Sequence, residues 1–123
     1  MRAPIDVLVV DDDAAIRRLL GSILARHQYK VVEAASGAEA MSLLRRSSFD
    51  IVLVDVILPD RSGLDVLRWV RDSDIDVELI VLTGHADVET AVEAMRLGAY
   101  DFVTKPFDVD VISHAVKSVL GLK

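Results

Sequence analysis

The chain has 123 residues, no cysteine, and 20 acidic side chains against 14 lysines and arginines, a formal charge of −6. This length is typical of one domain, and the lack of cysteine excludes disulfides and thiolate metal sites and favours a reducing compartment. The negative charge, with no basic cluster, argues against direct nucleic-acid binding. No apolar run is long enough to span a membrane. We therefore expect a single cytoplasmic domain over residues 1–123 that binds neither nucleic acid nor membrane.

Five short apolar runs alternate with segments of helical periodicity. The runs cover residues 5–10, 30–34, 51–54, 77–82 and 100–103. Three of them are nearly continuous, as in parallel strands that are covered on both faces. A closed eightfold barrel needs about 250 residues. The pattern therefore predicts an open, doubly wound α/β sheet built from five βα units.

Capping residues and apolar faces mark the helices between these runs. Ser36 with Glu39 is typical of a capping box, and Ser62 with Asp65 is typical of a weaker one. Asp87 and Asp108 are expected to be N-caps, and Gly98 and Gly121 are expected to be C-caps. The fourth helix has an apolar face of Val88, Ala91, Val92 and Met95, which we expect to pack in the core. Trp69 lies off the apolar stripe of the third helix, where half-burial is expected.

Polar side chains follow four of the five predicted strands. Asp11, Asp12 and Asp13 follow the first, Asp55 the third, Thr83 the fourth and Lys105 the fifth. Because ligands of open α/β sheets bind outside the carboxyl ends of the strands, we expect these groups to converge. Clustered carboxylates repel one another unless a cation neutralises them. An all-oxygen ligand set favours Mg²⁺ over zinc.

Mg²⁺ beside a reactive aspartate is typical of phosphoryl chemistry. An aspartate can carry an acyl phosphate, and the metal offsets the repulsion between the two anions. Lys105 and Thr83 are suited to contact phosphoryl oxygens. Taken singly, each residue is better explained as a cap, a turn or a product of strand propensity. The complete set at four strand ends favours phosphoryl transfer.

Four segments carry a resemblance to a known family: VVDDD at 9–13, VDVILPDRSG at 54–63, LTGH at 82–85 and KPF at 105–107. Over essentially the whole chain, they resemble the receiver domains of response regulators. The stretch 83–102 is most similar to receivers of NtrC-like and FixJ-like transcriptional regulators. The resemblance implies a flavodoxin-like, CheY-like (βα)5 fold with strand order 2-1-3-4-5.

The resemblance also implies a role for each site residue. Asp55 would be the phosphoacceptor, and Thr83 and Lys105 would contact the phosphoryl group. Mg²⁺ would be bound by the carboxylates of Asp12 and Asp55, by the backbone carbonyl of Ile57, and by Asp11 through metal-bound water. Thr83 and Phe102 would form the switch, with Phe102 favoured over the nearby Tyr100. The bond between Lys105 and Pro106 is commonly cis in the family.

The implied function is two-component signalling. A sensor histidine kinase or phosphotransfer protein would donate the phosphoryl group, and the face formed by the fourth helix, fifth strand and fifth helix would rearrange. That face would contact an output domain, an effector protein or a second copy of the chain. The domain would not be an enzyme, except in assisting its own phosphorylation and dephosphorylation.

Three alternatives come from other functional classes. A nucleotide-binding enzyme would need a phosphate-binding loop, and neither G-x-x-x-x-G-K-[ST] nor G-x-G-x-x-G follows the first strand. A haloacid-dehalogenase-like phosphatase uses a D-x-D motif there, and Asp11 and Asp13 have that spacing, but the lid domain is missing and the Asp55 motif is unexplained. The third alternative is a receiver fold that binds partners without phosphorylation.

Overall fold

The computed structural model describes residues 4–84 and 88–121. The strands within them are β1 (Asp6–Val10), β2 (Lys30–Ala34), β3 (Ile51–Asp55), β4 (Glu78–Gly84) and β5 (Asp101–Lys105). The helices are α1 (Ala14–Ala25), α2 (Gly37–Arg46), α3 (Gly63–Asp72), α4 (Val88–Arg96) and α5 (Val109–Val119). This alternation confirms the five predicted βα units. In the described ranges, none of the helices has the length and apolar character needed to cross a bilayer.

The strands form one parallel sheet in the order β2-β1-β3-β4-β5, which confirms the predicted strand order. The register aligns the carboxyl ends of neighbouring strands, since Asp55 lies beside Leu82 and Thr83 beside Thr104. Polar residues at the ends of different strands therefore meet at one edge of the sheet.

Side chains alternate between two hydrophobic cores, one on each face of the sheet. In β3, Val52 and Val54 point into the core beneath α2, α3 and α4, whereas Ile51 and Leu53 point into the core beneath α1 and α5. This division accounts for the nearly continuous apolar runs, because every residue of such a strand is covered. Trp69 is half-buried against the first core, as predicted, and the Arg45 guanidinium lies 5.1 Å from its ring centroid.

The predicted caps are present, with one reversal of strength. Ser62 and Asp65 form the complete capping box, since the Ser62 N–H donates to the Asp65 carboxylate. Ser36 accepts from the Glu39 N–H at 3.1 Å, but the Glu39 carboxylate accepts from the N–H of Ala35, one residue before the cap. Asp108 caps α5, and both Gly98 and Gly121 have a positive φ after helices. Asp87 lies outside the described residues.

The structure differs from the predictions at strand ends and at α4. β3, β4 and β5 continue through Asp55, Gly84 and Lys105, beyond their last apolar residues, because parallel pairing with the neighbouring strand continues there. The expected burial of the α4 face is wrong for Met95 and for two valines. Val88, Val92 and Met95 are exposed, whereas the inward positions are taken by Ala91 and Ala94.

Candidate functional site

Three carboxylates meet at the carboxyl edge of the sheet. Asp11 and Asp12 follow β1, Asp55 ends β3, and each offers an oxygen within 4.8 Å of the others. Asp11 is fully buried and Asp55 is 8% exposed, whereas Asp12 faces solvent. Buried carboxylates this close require a compensating cation. The structure therefore brings together the three acidic residues predicted to bind a metal.

Lys105 supplies one such cation from the edge strand β5. Its ammonium lies 2.6 Å from Asp11 Oδ2 and 2.7 Å from Asp55 Oδ2. Burial alone would lower the pKa of Lys105, but the hydrogen bonds and charges of the two carboxylates together raise it. Burial raises the pKa of Asp55, although the ammonium and the Ile57 N–H favour its ionised form.

Backbone groups hold the second oxygen of each buried carboxylate. The N–H of Ile57 donates to Asp55 Oδ1 at 3.0 Å, and the N–H of Asp13 donates to Asp11 Oδ1 at 2.9 Å. Each carboxylate is thus fixed between a backbone donor on one oxygen and the Lys105 ammonium on the other. The two side chains are oriented before any ligand binds, which is the condition for efficient positioning.

Asp13, the second aspartate of the D-x-D spacing, has a different task. Its side chain caps α1 by accepting from the N–H groups of Ala15, at 2.9 Å, and Ile16, at 3.4 Å. This use of Asp13 as an N-cap removes the structural basis for a D-x-D phosphatase motif.

The Thr83 hydroxyl is a buried polar group of the site that has no partner in the part of the chain that the structure describes. Thr83 is 1% exposed at the end of β4, and its Oγ1 has no hydrogen-bond partner among the described residues. A buried hydroxyl without a partner is unfavourable, and in native proteins it calls for a functional explanation. Together with the acidic cluster, this orphaned donor fits the recognition of an oxygen-rich ligand beside a hard cation.

The family of the chain follows from comparison with known sequences. The family model described as "Response regulator receiver domain" matches residues 7–117. The chain belongs to this family. It is the receiver domain of a two-component response regulator, which confirms the family resemblance and the signalling function predicted from the sequence.

The chain is similar to curated proteins that include a regulatory protein and a phosphotransferase. It is 37% identical to the regulatory protein AtoC of Escherichia coli over 95% of this chain and 25% of AtoC. It is 33% identical to sporulation initiation phosphotransferase F of Bacillus subtilis over 95% of this chain and 94% of that protein. The chain thus spans about a quarter of AtoC, but nearly the whole of the phosphotransferase. Relatives such as AtoC confirm the NtrC-like resemblance.

Solved receiver structures have the same fold. The receiver domain of NtrX from Brucella abortus superposes with a TM-score of 0.89 at 31% identity, over 96% of this chain and all of that one. A CheY-like receiver domain protein from Methanospirillum hungatei gives a TM-score of 0.91 at 28% identity, over 97% and 95% of the two chains. These likenesses confirm the predicted CheY-like fold.

The structure also places the other residues predicted for the site, Ile57 and Phe102. The Ile57 side chain is 75% exposed beside Asp55, and its residue pairs with Ser62 across the following turn. Phe102 faces outward from β5 and is 38% exposed, close to the exposed Tyr100. The peptide bond between Lys105 and Pro106 is cis, as the resemblance implies. His85, within the LTGH segment, lies outside the described residues.

Two supporting contacts escaped the sequence analysis. The Arg17 guanidinium donates to the carbonyl oxygen of Asp11 at 2.7 Å and to Glu33 at 2.9 Å. The Asp60 carboxylate accepts from the first two N–H groups of α2. Neither contact has a local signature, because each joins segments that are distant in sequence or uses a backbone atom. The one available signal was the position of Arg17 on the first turn after the acidic residues.

Proposed function

We propose that Asp55 accepts a phosphoryl group from a phosphohistidine on a partner protein. The observation that carries the proposal is the buried Asp55 carboxylate, 2.7 Å from the Lys105 ammonium and within 4.8 Å of the acidic groups of Asp11 and Asp12. In the reaction, an Asp55 oxygen forms a bond to phosphorus as the bond to the donor nitrogen breaks, leaving an acyl phosphate and a neutral imidazole once that nitrogen is protonated.

Mg²⁺ is the cation that this site fits best. The donor set consists of carboxylate oxygens from Asp11, Asp12 and Asp55, with the Ile57 carbonyl as the further ligand that the family implies. Such an all-oxygen set suits a hard ion that retains water. When bound, Mg²⁺ supplies positive charge that offsets the repulsion between the incoming phosphoryl oxygens and the carboxylate.

Lys105 and Thr83 serve the transferred group once it arrives. The Lys105 ammonium already contacts Asp55 Oδ2, so it is placed to pair with a phosphoryl oxygen on that atom. The Thr83 hydroxyl can donate to a second oxygen and thereby gain the partner it lacks among the described residues. These contacts exist only in the phosphorylated state, so they can shift the population toward a different packing of β4 and β5. In this proposal Phe102 turns inward as that packing changes.

The α4–β5–α5 face is the proposed output surface. Its exposed apolar side chains include Val88, Val92, Met95, Tyr100, Phe102 and Val111. An apolar surface of this kind marks a site of protein association. We propose that it contacts an output domain, an effector or a second receiver when Asp55 is phosphorylated.

The proposed partners and location follow from the same reaction. A sensor histidine kinase or a phosphotransfer protein supplies the phosphoryl group. The proposed location is the cytoplasm, a reducing compartment that the lack of cysteine also favours. Residues 1–123 act as one receiver domain. In this proposal the domain takes part only in its own phosphorylation and dephosphorylation and converts no other substrate. It does not bind nucleic acid itself, and any such binding belongs to a partner domain.

Intact-mass spectrometry after incubation with acetyl phosphate and Mg²⁺ tests the proposal. We expect a gain of about 80 Da, one phosphoryl group, that disappears in Asp55→Asn and in samples with the metal chelated. Asp76→Asn is the matched control, because Asp76 is exposed and forms no ion pair with the described residues. Equal gains in Asp55→Asn and wild type would refute the assignment of Asp55. A second test of the wild type follows Trp69 fluorescence on addition of beryllofluoride, a stable mimic of the phosphoryl group. No mass gain together with no change in fluorescence would favour a receiver that works without phosphorylation.

A further inference from the structure

The loop between β3 and α3, residues 56–62, is fastened at both its base and its tip. At the base, the Ile57 N–H donates to Asp55 Oδ1 at 3.0 Å, and the Gly63 N–H donates to the Val56 carbonyl at 2.7 Å. Ile57 and Ser62 form an antiparallel bridge across the loop. The loop is therefore a narrow closed turn, and a shift at its tip is transmitted to the backbone of Ile57.

The tip of this loop is held by α2 through Asp60. Asp60 Oδ1 accepts from the Gly37 N–H at 2.9 Å, and Oδ2 accepts from the Ala38 N–H at 2.9 Å. These hydrogen bonds, that from Gly37 first, lower the pKa of Asp60, so the carboxylate is charged at neutral pH. Ser36 already caps the Glu39 N–H. The first three N–H groups of α2 are thus satisfied, two of them by a residue from another segment.

Arg61 extends the same attachment. Its side chain crosses the Cα of Gly37, where a Cβ would lie 2.6 Å from Arg61 Cδ, and its Nη1 lies 3.2 Å from Met41 Sδ. Arg61 Nε also pairs with Asp60 Oδ2 at 3.2 Å. Helix α2 itself is anchored in the first hydrophobic core through Ala40 and Leu44. The loop tip is therefore attached to a rigid element, and Asp60 makes the shortest bonds of the attachment.

We propose that Asp60 is a positioning residue for metal binding, which holds the β3–α3 loop on α2 so that the Ile57 backbone and the Asp55 carboxylate are in place for Mg²⁺. The inference rests on the Mg²⁺ site of the proposed function. Asp60 contacts neither the acidic cluster nor a reacting atom. Its effect passes through the turn that joins it to Ile57.

Mg²⁺ titration of the ¹⁵N-labelled protein, followed by the amide shift of Asp12, tests this role. Groups that orient metal ligands typically account for about 10- to 100-fold in metal affinity. We expect Asp60→Ala to raise the dissociation constant for Mg²⁺ about tenfold, the lower end of that range, because Asp60 acts through a loop and not on a ligand directly. Asp60→Asn, which keeps one acceptor oxygen, should restore part of the affinity and stands in if the alanine variant does not fold.

Ser36→Ala is the matched control, because it removes a cap from the same helical turn without touching the loop. Both variants should lower the melting temperature, but only the Asp60 variants should weaken Mg²⁺ binding. In the acetyl phosphate reaction, Asp60→Ala should need more Mg²⁺ for half-maximal rate and reach a rate close to wild type at saturating Mg²⁺.

The possible outcomes separate this inference from the proposed function. If the wild type binds Mg²⁺ and the Asp60 variants bind it equally well, Asp60 has no positioning role and the proposed function stands. The same conclusion holds if Ser36→Ala weakens binding as much as Asp60→Ala. If the wild type itself does not bind Mg²⁺, both the metal site and the role of Asp60 are refuted.

Discussion

Gly63, the first residue of α3, lies against the backbone of Asp55. A Cβ at this position would be 2.2 Å from the Asp55 carbonyl oxygen and 2.9 Å from its carbon. Carbon and carbonyl oxygen normally approach no closer than roughly 3.3 Å. Gly63→Ala therefore forces a displacement of about 1 Å between the start of α3 and the end of β3, and no side-chain rotation can relieve it, since both contacts are with backbone.

The expected loss of stability follows from these contacts. The loss of stability caused by overpacking is usually about 1 to 3 kcal/mol, and a clash with backbone belongs at the upper end of that range. Weakening the 2.7 Å hydrogen bond from the Gly63 N–H to Val56 adds about 1 kcal/mol. The higher helix propensity of alanine offsets up to about 1 kcal/mol. We expect a net decrease of about 3 kcal/mol in the free energy of unfolding, a large part of the 5 to 15 kcal/mol typical of a domain.

Urea unfolding followed by Trp69 fluorescence and circular dichroism measures this change. Gly21→Ala is the control, because Gly21 lies inside α1, has a negative φ, and its Cβ would meet nothing within 4 Å. That variant should gain about 1 kcal/mol. A 1 Å shift at Asp55 should also slow phosphorylation by acetyl phosphate about 100-fold. If Gly63→Ala were as stable as wild type and equally reactive, the tight approach of α3 to β3 would be wrong.

Three further predictions concern charge and hydrogen bonding. Lys105→Met should lower the free energy of unfolding of the metal-free protein by about 2 kcal/mol, which is less than the loss expected when a fully buried ion pair is broken. Mg²⁺ should raise the melting temperature of this variant more than that of wild type, because no ammonium then competes with the metal for Asp11 and Asp55. The pKa of Asp60 is lowered in the folded protein, so the stabilisation that its carboxylate provides is present above about pH 4 and is lost as the pH falls. The difference in melting temperature between wild type and Asp60→Asn should therefore shrink from pH 5 to pH 3. Thr83→Val should stabilise the protein by about 1 kcal/mol, since it removes a buried hydroxyl that lacks a partner among the described residues, as thermal unfolding would show.

Exposed residues of the same types provide the controls. Lys117→Met and Asp76→Asn remove charges from the surface, and neither should change the Mg²⁺ response or the pH profile. Thr104 pairs in register with Thr83 but is exposed, so Thr104→Val should be close to neutral. A stabilisation by Thr104→Val equal to that by Thr83→Val would attribute the gain to strand propensity instead of the buried hydroxyl.

The sequence predicts the sheet and the convergence of its acidic residues because both depend on simple periodic patterns. Apolar runs identify the strands, and the polar residue that ends each run falls at the ligand-binding edge. The lengths of β3, β4 and β5 were underestimated because pairing with a neighbouring strand, and not apolar character, determines where a strand ends. Asp55 and Lys105 belong to the strands themselves.

Long-range hydrogen bonds were the features that the sequence could not predict. The bond from Gly37 to Asp60 joins residues that are 23 positions apart, and nothing in either segment identifies the other. The stronger capping box belongs to Ser62 and Asp65, although Glu39 is the better-known partner type, because the backbone geometry before α2 directs Glu39 to Ala35. Local patterns identify capable residues, and tertiary contacts decide how they are used.

The buried side chains of helix α4 are those of two alanines, so little apolar area is removed from water between this helix and the sheet. Burial of the Ala91 and Ala94 methyl groups stabilises the attachment by about 2 kcal/mol, at about 0.8 kcal/mol for each carbon. Helix α3, by contrast, buries Leu64, Val66, Leu67 and Val70. Local opening free energies follow such differences in buried contact. The amides of α4 should therefore exchange with solvent well before those of α3, and α4 can change its packing at a small fraction of the free energy needed to unfold the domain.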